Sequence, residues 1–231
     1  MTLRQHSSHE FEAELESVKQ KILAMGRQVD HILENSGKAL QDNDIILCKQ
    51  IILEDMQTDS MELELDHLCL EILALRQPVA GDLRLLTSAL KLVIDLERVG
   101  DLGVSIASRV VELGNEPPLL PYDDLQRMLT TAREMLAEAL AALETQDSAR
   151  ASRAIDKDEV VDAYYTQIFN NVLSRMRESP ETIYQATRVQ SISKYIERIG
   201  DHATNIAERV IFILTGEDIR HTSRMRRADF S

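Results

Sequence analysis

The chain has 231 residues, 44% apolar and only 4% aromatic, and its 26 basic residues against 39 acidic ones give a net charge of −13. That length allows one large domain or two small ones with a real core, and a core built from Leu, Ile, Val, Ala and Met without Trp suits helices. The acidic balance argues against nucleic acid as a partner, which needs a basic footprint. No apolar run approaches the roughly 18 residues of a membrane span, and the polar stretch Met1–Glu10 does not read as a signal peptide.

Prolines at 78, 117, 118, 121 and 180 fall outside the periodic stretches and cut the chain into long helical segments. The first predicted helix runs from about Phe11 to Gln41, with Val18, Ile22, Met25, Val29, Ile32, Leu33 and Leu40 inward. Asp42-Asn43-Asp44 breaks it and supplies an N-cap for a second helix reaching about Leu75. The chain turns at Arg76-Gln77-Pro78, and a third helix covers about Gly81 to Leu113, ending at Gly114. Asn115 to Pro121 reads as a linker. A fourth helix follows from about Tyr122 to Leu143, a fifth from the break at Gln146-Asp147-Ser148 to about Arg177, and a sixth ends near Leu214 before Gly216. Cys48 and Cys69 share the second helix, too far apart for a disulfide, and are expected to be buried apolar residues in a reducing compartment.

The chain is internally duplicated. Residues 96–110 match 196–210 at eight of fifteen positions, including Glu97-Arg98 with Glu197-Arg198 and Gly100-Asp101 with Gly200-Asp201. Met25 corresponds to Met128 and Asp44 to Asp147 at an offset of 103, which falls to 100 at the third helix of each half. The expected fold is therefore all-α: two tandem antiparallel three-helix bundles of six long helices. Residues 1–114 form the first bundle, 115–121 the linker, 122–216 the second bundle, and 217–231 a mobile tail carrying Arg220, Arg224, Arg226 and Arg227.

Glu97 and Asp101, like Glu197 and Asp201, are four residues apart and share a helix face. Like charges there cost about 0.2–0.5 kcal/mol, and a helical Gly about 1 kcal/mol against Ala. Two unfavourable choices made twice point to a gain, and stacked carboxylates offer hard oxygen ligands to a divalent or trivalent cation. The competing reading is a solvated face with Arg98–Asp101 and Arg198–Asp201 ion pairs. A cation site predicts matching acids on neighbouring helices of both halves, and Asp55/Asp59 and Asp158/Asp162 stand at the same offset of 103. Glu12/Glu16 and Glu62/Asp66 read as solvated faces, and His202 as a structural or exposed residue rather than a ligand.

The doubled Glu-Arg-x-Gly-Asp, with Arg76-Gln77-Pro78 and Asp82-Leu83-Arg84 before its first copy, resembles the PhoU family of phosphate-uptake regulators over about residues 10–216. The resemblance implies a homodimer and multinuclear metal clusters on Asp55, Asp59, Glu97, Asp101, Asp158, Asp162, Glu197 and Asp201. Iron is the metal it implies first, with zinc or another divalent cation as alternatives. It also implies a cytoplasmic, non-enzymatic repressor of the phosphate-starvation response, whose partners are the ATPase of the phosphate ABC transporter and a sensor histidine kinase. Ser105 and Ser108 stand where the second half has Asn205 and Glu208, so weaker metal binding in the first half is expected if those positions ligate. A carboxylate-bridged oxidase or hydrolase is the alternative; ferritin-like di-iron sites use two Glu-x-x-His motifs, and the chain does not carry two. A purely structural bundle would leave the recurring Glu/Gly/Asp sets unexplained.

Overall fold

A computed structural model of the chain describes residues 2–114 and 116–219. The helices are α1 (Thr2–Asp42), α2 (Ile45–Arg76), α3 (Ala80–Leu113), α4 (Asp123–Thr145), α5 (Ser148–Asp156), α6 (Asp158–Glu178) and α7 (Ile183–Thr215), with a 3-10 turn at Pro180–Thr182 before the last. No strand occurs among the described residues. The expected breaks are built as the sequence suggests. Asp44 Oδ1 accepts from the backbone N–H groups of Ile46 and Leu47 at 3.0 and 2.9 Å, and Asp147 Oδ1 accepts from Ala149 and Arg150 at 3.0 and 3.2 Å. Gly114 and Gly216 close α3 and α7 at φ +60° and +81°, where a side chain would be strained. The arginine-bearing tail from residue 220 onward lies outside the described residues.

One expected helix is two. The fifth segment is interrupted at Lys157, whereas its counterpart α2 is continuous. The interruption puts Asp158 and Glu159 in the first turn of α6, where unsatisfied N–H groups favour acids. Lys157 itself turns back to pair with Glu134 on α4, Nζ to Oε2 2.6 Å.

Each repeat is a three-helix bundle: α1, α2 and α3 in the first, α4, α5–α6 and α7 in the second. The seven inward residues predicted on α1 are all at most 1% exposed. The repeats also pack on each other, α3 against α7 and α1 against α4, so one continuous apolar core runs from Leu15 to Ile211. The α1–α4 approach is close: a Cβ on Gly26 would stand 2.3 Å from Leu140 Cδ1. Beside it Arg133 forks onto Asp30 (2.8 and 3.1 Å) and reaches Glu34 (3.1 Å).

The α3–α7 contact keeps the symmetry of the duplication. Arg209 Nε donates to Asp95 Oδ2 at 3.0 Å, and the corresponding residues in the other direction, Arg109 and Tyr195, are joined guanidinium to hydroxyl at 3.2 Å. The first arm is the more elaborate, since Asp95 is 6% exposed and its Oδ1 also meets His202 Nδ1 at 2.9 Å. Asp95→Ala would leave Arg209 and His202 facing a buried position without their anion. The expected loss is about 3 kcal/mol of unfolding free energy in urea titration, against about 1 kcal/mol for Tyr195→Phe; equal losses would contradict the assigned burial.

Candidate metal centre

Helix α2 packs on α3 through a seam spaced by three and four residues: Cys48, Ile51, Asp55, Thr58, Glu62, Leu65, Cys69 and Ile72. Both cysteines are buried and free, as expected. Six of the eight seam residues are fully buried, and two, Asp55 and Glu62, are half-buried carboxylates in positions that otherwise hold apolar groups. Opposite them on α3 stands Gly100. A Cβ there would lie 3.3 Å from Thr58 Cγ2 and 3.9 Å from Asp55 Oδ1. The missing side chain is what lets α2 bring these groups against the α3 backbone.

The second repeat builds the same arrangement from α6 and α7. Asp158 takes the place of Asp55 and is 2% exposed. A Cβ on Gly200 would lie 3.3 Å from both Asp158 Oδ1 and Val161 Cγ1, Val161 replacing Thr58.

The acids of the first repeat act on one another. Burial first, then Asp101, pushes Glu97 up to about 7, with Arg98 working against them and Glu62 and a hydrogen bond to Asp101 adding to the rise. Burial raises Asp55, helped by the charges of Asp101 and Asp59. Glu62 is raised by burial and then by Asp66, Asp59 and, more weakly, Asp101. Asp55, Asp59, Glu97 and Asp101 are thus brought into one electrostatic neighbourhood, with Arg98 its cation: Arg98 meets Glu97 Oε2 at 3.3 Å and Asp101 Oδ2 at 3.1 Å. The ion pair expected of a solvated face exists here, yet Arg98 is half exposed and Glu97 only 16% exposed.

Glu62 corrects the sequence reading. It belongs to the acid nest, not to a solvated face, and the signal was its place seven residues after Asp55 on the seam. Its counterpart in the second repeat is Tyr165, and a lysine not singled out in the sequence, Lys194, stands where the first repeat has Ile94. Lys194 Nζ lies 2.6 Å from Glu197 Oε2 and 5.3 Å from the centre of the Tyr165 ring. Partial burial works against its ammonium, but Glu197, then Tyr165 and Asp201, hold it above its ordinary range. Asp162 and Asp201 are exposed on α6 and α7. Both cations are about half exposed, Arg98 54% and Lys194 48%, and the glutamate beside each is 16% exposed; the first repeat gathers five acids around its cation, whereas the second sets Lys194 against Glu197 and Asp201, with Asp158 at Gly200.

Asn205 does not face the second nest: its amide points to Asp95 Oδ1 at 3.4 Å, across to α3. His202 is likewise spent on Asp95. The chain's Glu-x-x-His spacing, Glu64 and His67 on α2, also lies away from the nests, with Glu64 bound to Lys21 at 2.9 Å and His67 exposed.

The donor chemistry suits a hard cation: oxygen ligands, a glycine cradle on the facing helix, and in the first repeat the fully buried Thr58 hydroxyl without a hydrogen-bond partner. The geometry is open. Among the described residues no three His, Cys, Asp or Glu side chains are arranged to hold a metal ion.

These features define a class: a duplicated all-helical bundle with crowded carboxylates across matching helix pairs. The PhoU domain matches residues 22–110 and 125–210. A phosphate-specific transport system accessory protein PhoU homolog from Pseudomonas aeruginosa is 38% identical over 97% of this chain and 93% of its own length. The phosphate-specific transport system accessory protein PhoU of Escherichia coli is 33% identical over 96% of this chain and 92% of its length. The crystal structure of PhoU from P. aeruginosa superimposes with a TM-score of 0.86 at 37% identity, covering 90% of this chain and all of that one. That of the phosphate transport system regulatory protein PhoU from Streptococcus pneumoniae gives 0.84 at 30% identity, covering 90% and 98%. The chain belongs to the PhoU family.

The raised Glu97 makes a pH prediction. With a folded pKa of about 7 against an ordinary 4.5, the folded state holds a proton that the unfolded state has released. Stability therefore falls as pH rises between those values and levels off above them. Thermal melts of metal-free protein from pH 5 to 8 are expected to show that fall, and Glu97→Gln to flatten it. An unchanged slope in the variant would contradict the assignment.

Proposed function

We propose that the chain is a non-enzymatic, metal-binding regulatory adaptor of phosphate uptake. It restrains the phosphate-starvation response through the ATPase of the phosphate ABC transporter and its sensor histidine kinase, acting in the cytoplasm as a homodimer. Support comes from relatives that are accessory and regulatory proteins of phosphate transport. No helix among the described residues is long and apolar enough to cross a membrane. The observation that carries the metal reading is the placement of Asp55 and Asp158 on buried seams against Gly100 and Gly200.

Asp55, Asp59, Glu97 and Asp101 would hold cations in the first repeat, with Glu62 as a further donor; Asp158, Asp162, Glu197 and Asp201 would do so in the second. Multinuclear iron clusters are the reading preferred, with zinc or another divalent cation as the alternatives. A cation held there would supply positive charge in place of the proton on Glu97 and relieve repulsion among its neighbours. The chain's own residues do the rest. The seams fix Asp55 and Asp158, the glycines give access, and Arg98 and Lys194 set how much negative charge remains to be neutralised.

The repeats differ in that remainder. Lys194 pairs with Glu197 at 2.6 Å whereas Arg98 stands 3.3 Å from Glu97, and the first nest has Glu62 besides, so the first nest is expected to take up cation at lower concentration than the second. Titration calorimetry with ferrous or zinc ions should resolve a tighter and a weaker phase. Asp55→Asn with Glu97→Gln should remove the tighter phase with helical circular dichroism unchanged, and Lys194→Ile should strengthen the weaker one. No heat, and no metal by elemental analysis, would overturn the metal reading. The regulatory reading is tested apart from it: in a bacterium lacking its own PhoU, this chain is expected to silence phosphate-starvation reporters in phosphate-replete medium, and continued expression would overturn it.

A further inference from the structure

Helix α2 has two apolar sides. Residues two positions from its buried seam lie about 200° around the helix, and there Ile46, Leu53, Met56, Leu63 and Leu70 recur at spacings of seven, three, seven and seven. They are 73, 71, 73, 61 and 57% exposed. With Lys49, Ser60 and His67, also exposed, they complete a second seam of alternating three- and four-residue steps, the pattern by which one helix packs along another.

The duplication supplies an internal control. At the positions matching Leu53, Met56 and Leu63 the second repeat has Asp156, Glu159 and Thr166, yet it folds into the same bundle. The fold does not require apolar residues at those three positions, although Leu70 is matched by Leu173, and a solvent-facing row of five over seven turns is more than scattered surface leucines.

We propose that this seam is the homodimer surface: α2 of one protomer lies antiparallel on α2 of a second copy, about a two-fold axis at residue 58. The inference rests on the homodimer reading above and names the surface for it. The spacings are self-complementary about that point. Ile46 meets the partner's Leu70, Leu53 the partner's Leu63, and Met56 the partner's Ser60, because each pair of numbers is symmetric about 58. Lys49 falls level with the partner's His67, next to the acidic turn that carries Glu71. A parallel pairing would instead set Lys49 on Lys49 and Glu71 near Glu71, which repel. An isologous contact of this kind closes on itself and leaves no seam exposed.

Sedimentation velocity on the full chain tests the surface. Leu53→Glu with Leu63→Glu is expected to weaken self-association about 100-fold or more, giving monomer at micromolar concentration with unchanged helical circular dichroism, since both side chains face solvent in the protomer. Thr166→Glu, at the matching place in the second repeat, should remain dimeric. Under mild oxidation a mixture of Leu53→Cys and Leu63→Cys chains should cross-link, whereas either alone should not. A Leu53→Glu/Leu63→Glu protein that stays dimeric overturns the surface and leaves the homodimer reading standing; a monomeric native chain overturns both.

Discussion

Carboxylates pressed into helix-packing positions are the constraint from which the rest follows. A seam of the α2 kind buries apolar groups for their transfer energy, and an ionised carboxylate there loses hydration without return unless something neutralises it. The two repeats meet the same difficulty in two ways. In the first, Glu97 is pushed up to about 7 and keeps a proton well above its ordinary range. In the second, Lys194, about half exposed like Arg98, lies 2.6 Å from Glu197 and pairs with it directly. A cation in the first nest would take the place of the proton on Glu97 and compete with Arg98 for Glu97 and Asp101; in the second it would compete with Lys194 for Glu197. The duplication has thus kept the scaffold, an acid opposite a glycine, while altering the charge that completes it.

Helices α3 and α7 face two ways at once. One side of each carries a Glu-x-x-x-Asp pair toward α2 or α6; the other side carries half of the contact between repeats. Asp95 is only two residues from Glu97, and it holds Arg209 and His202 of the other repeat. His202 in turn follows Asp201 directly. The two nests therefore stand on rods held back to back by a buried anion and by the apolar core they share.

Much of this was legible in the sequence because it rests on periodicity and on repetition. Long apolar stripes, the Asp44 and Asp147 caps and the terminal glycines placed the helices; the offset of 103 tied Asp55 to Asp158. Features that depend on which face a residue takes leave a weaker mark in the sequence. Glu62 shares its charge and helical spacing with Asp66, but its step of seven from Asp55 puts it on the seam. Lys194 and Tyr165 have no motif, and only comparison with Ile94 and Glu62 marks them. Asn205 and His202 sit beside the motif in sequence but point across the repeat interface. The interruption at Lys157 was hidden because no proline or glycine signals it.

If the crowded carboxylates of both repeats are cation ligands, anomalous diffraction at the iron or zinc edge from crystals grown with that ion will show it. Peaks are expected within about 2.0–2.6 Å of carboxylate oxygens of Asp55, Glu97 and Asp101, and weaker ones beside Asp158 and Asp201. Ordered, fully refined carboxylates with no peak at either nest, and metal only on isolated surface acids, would contradict it.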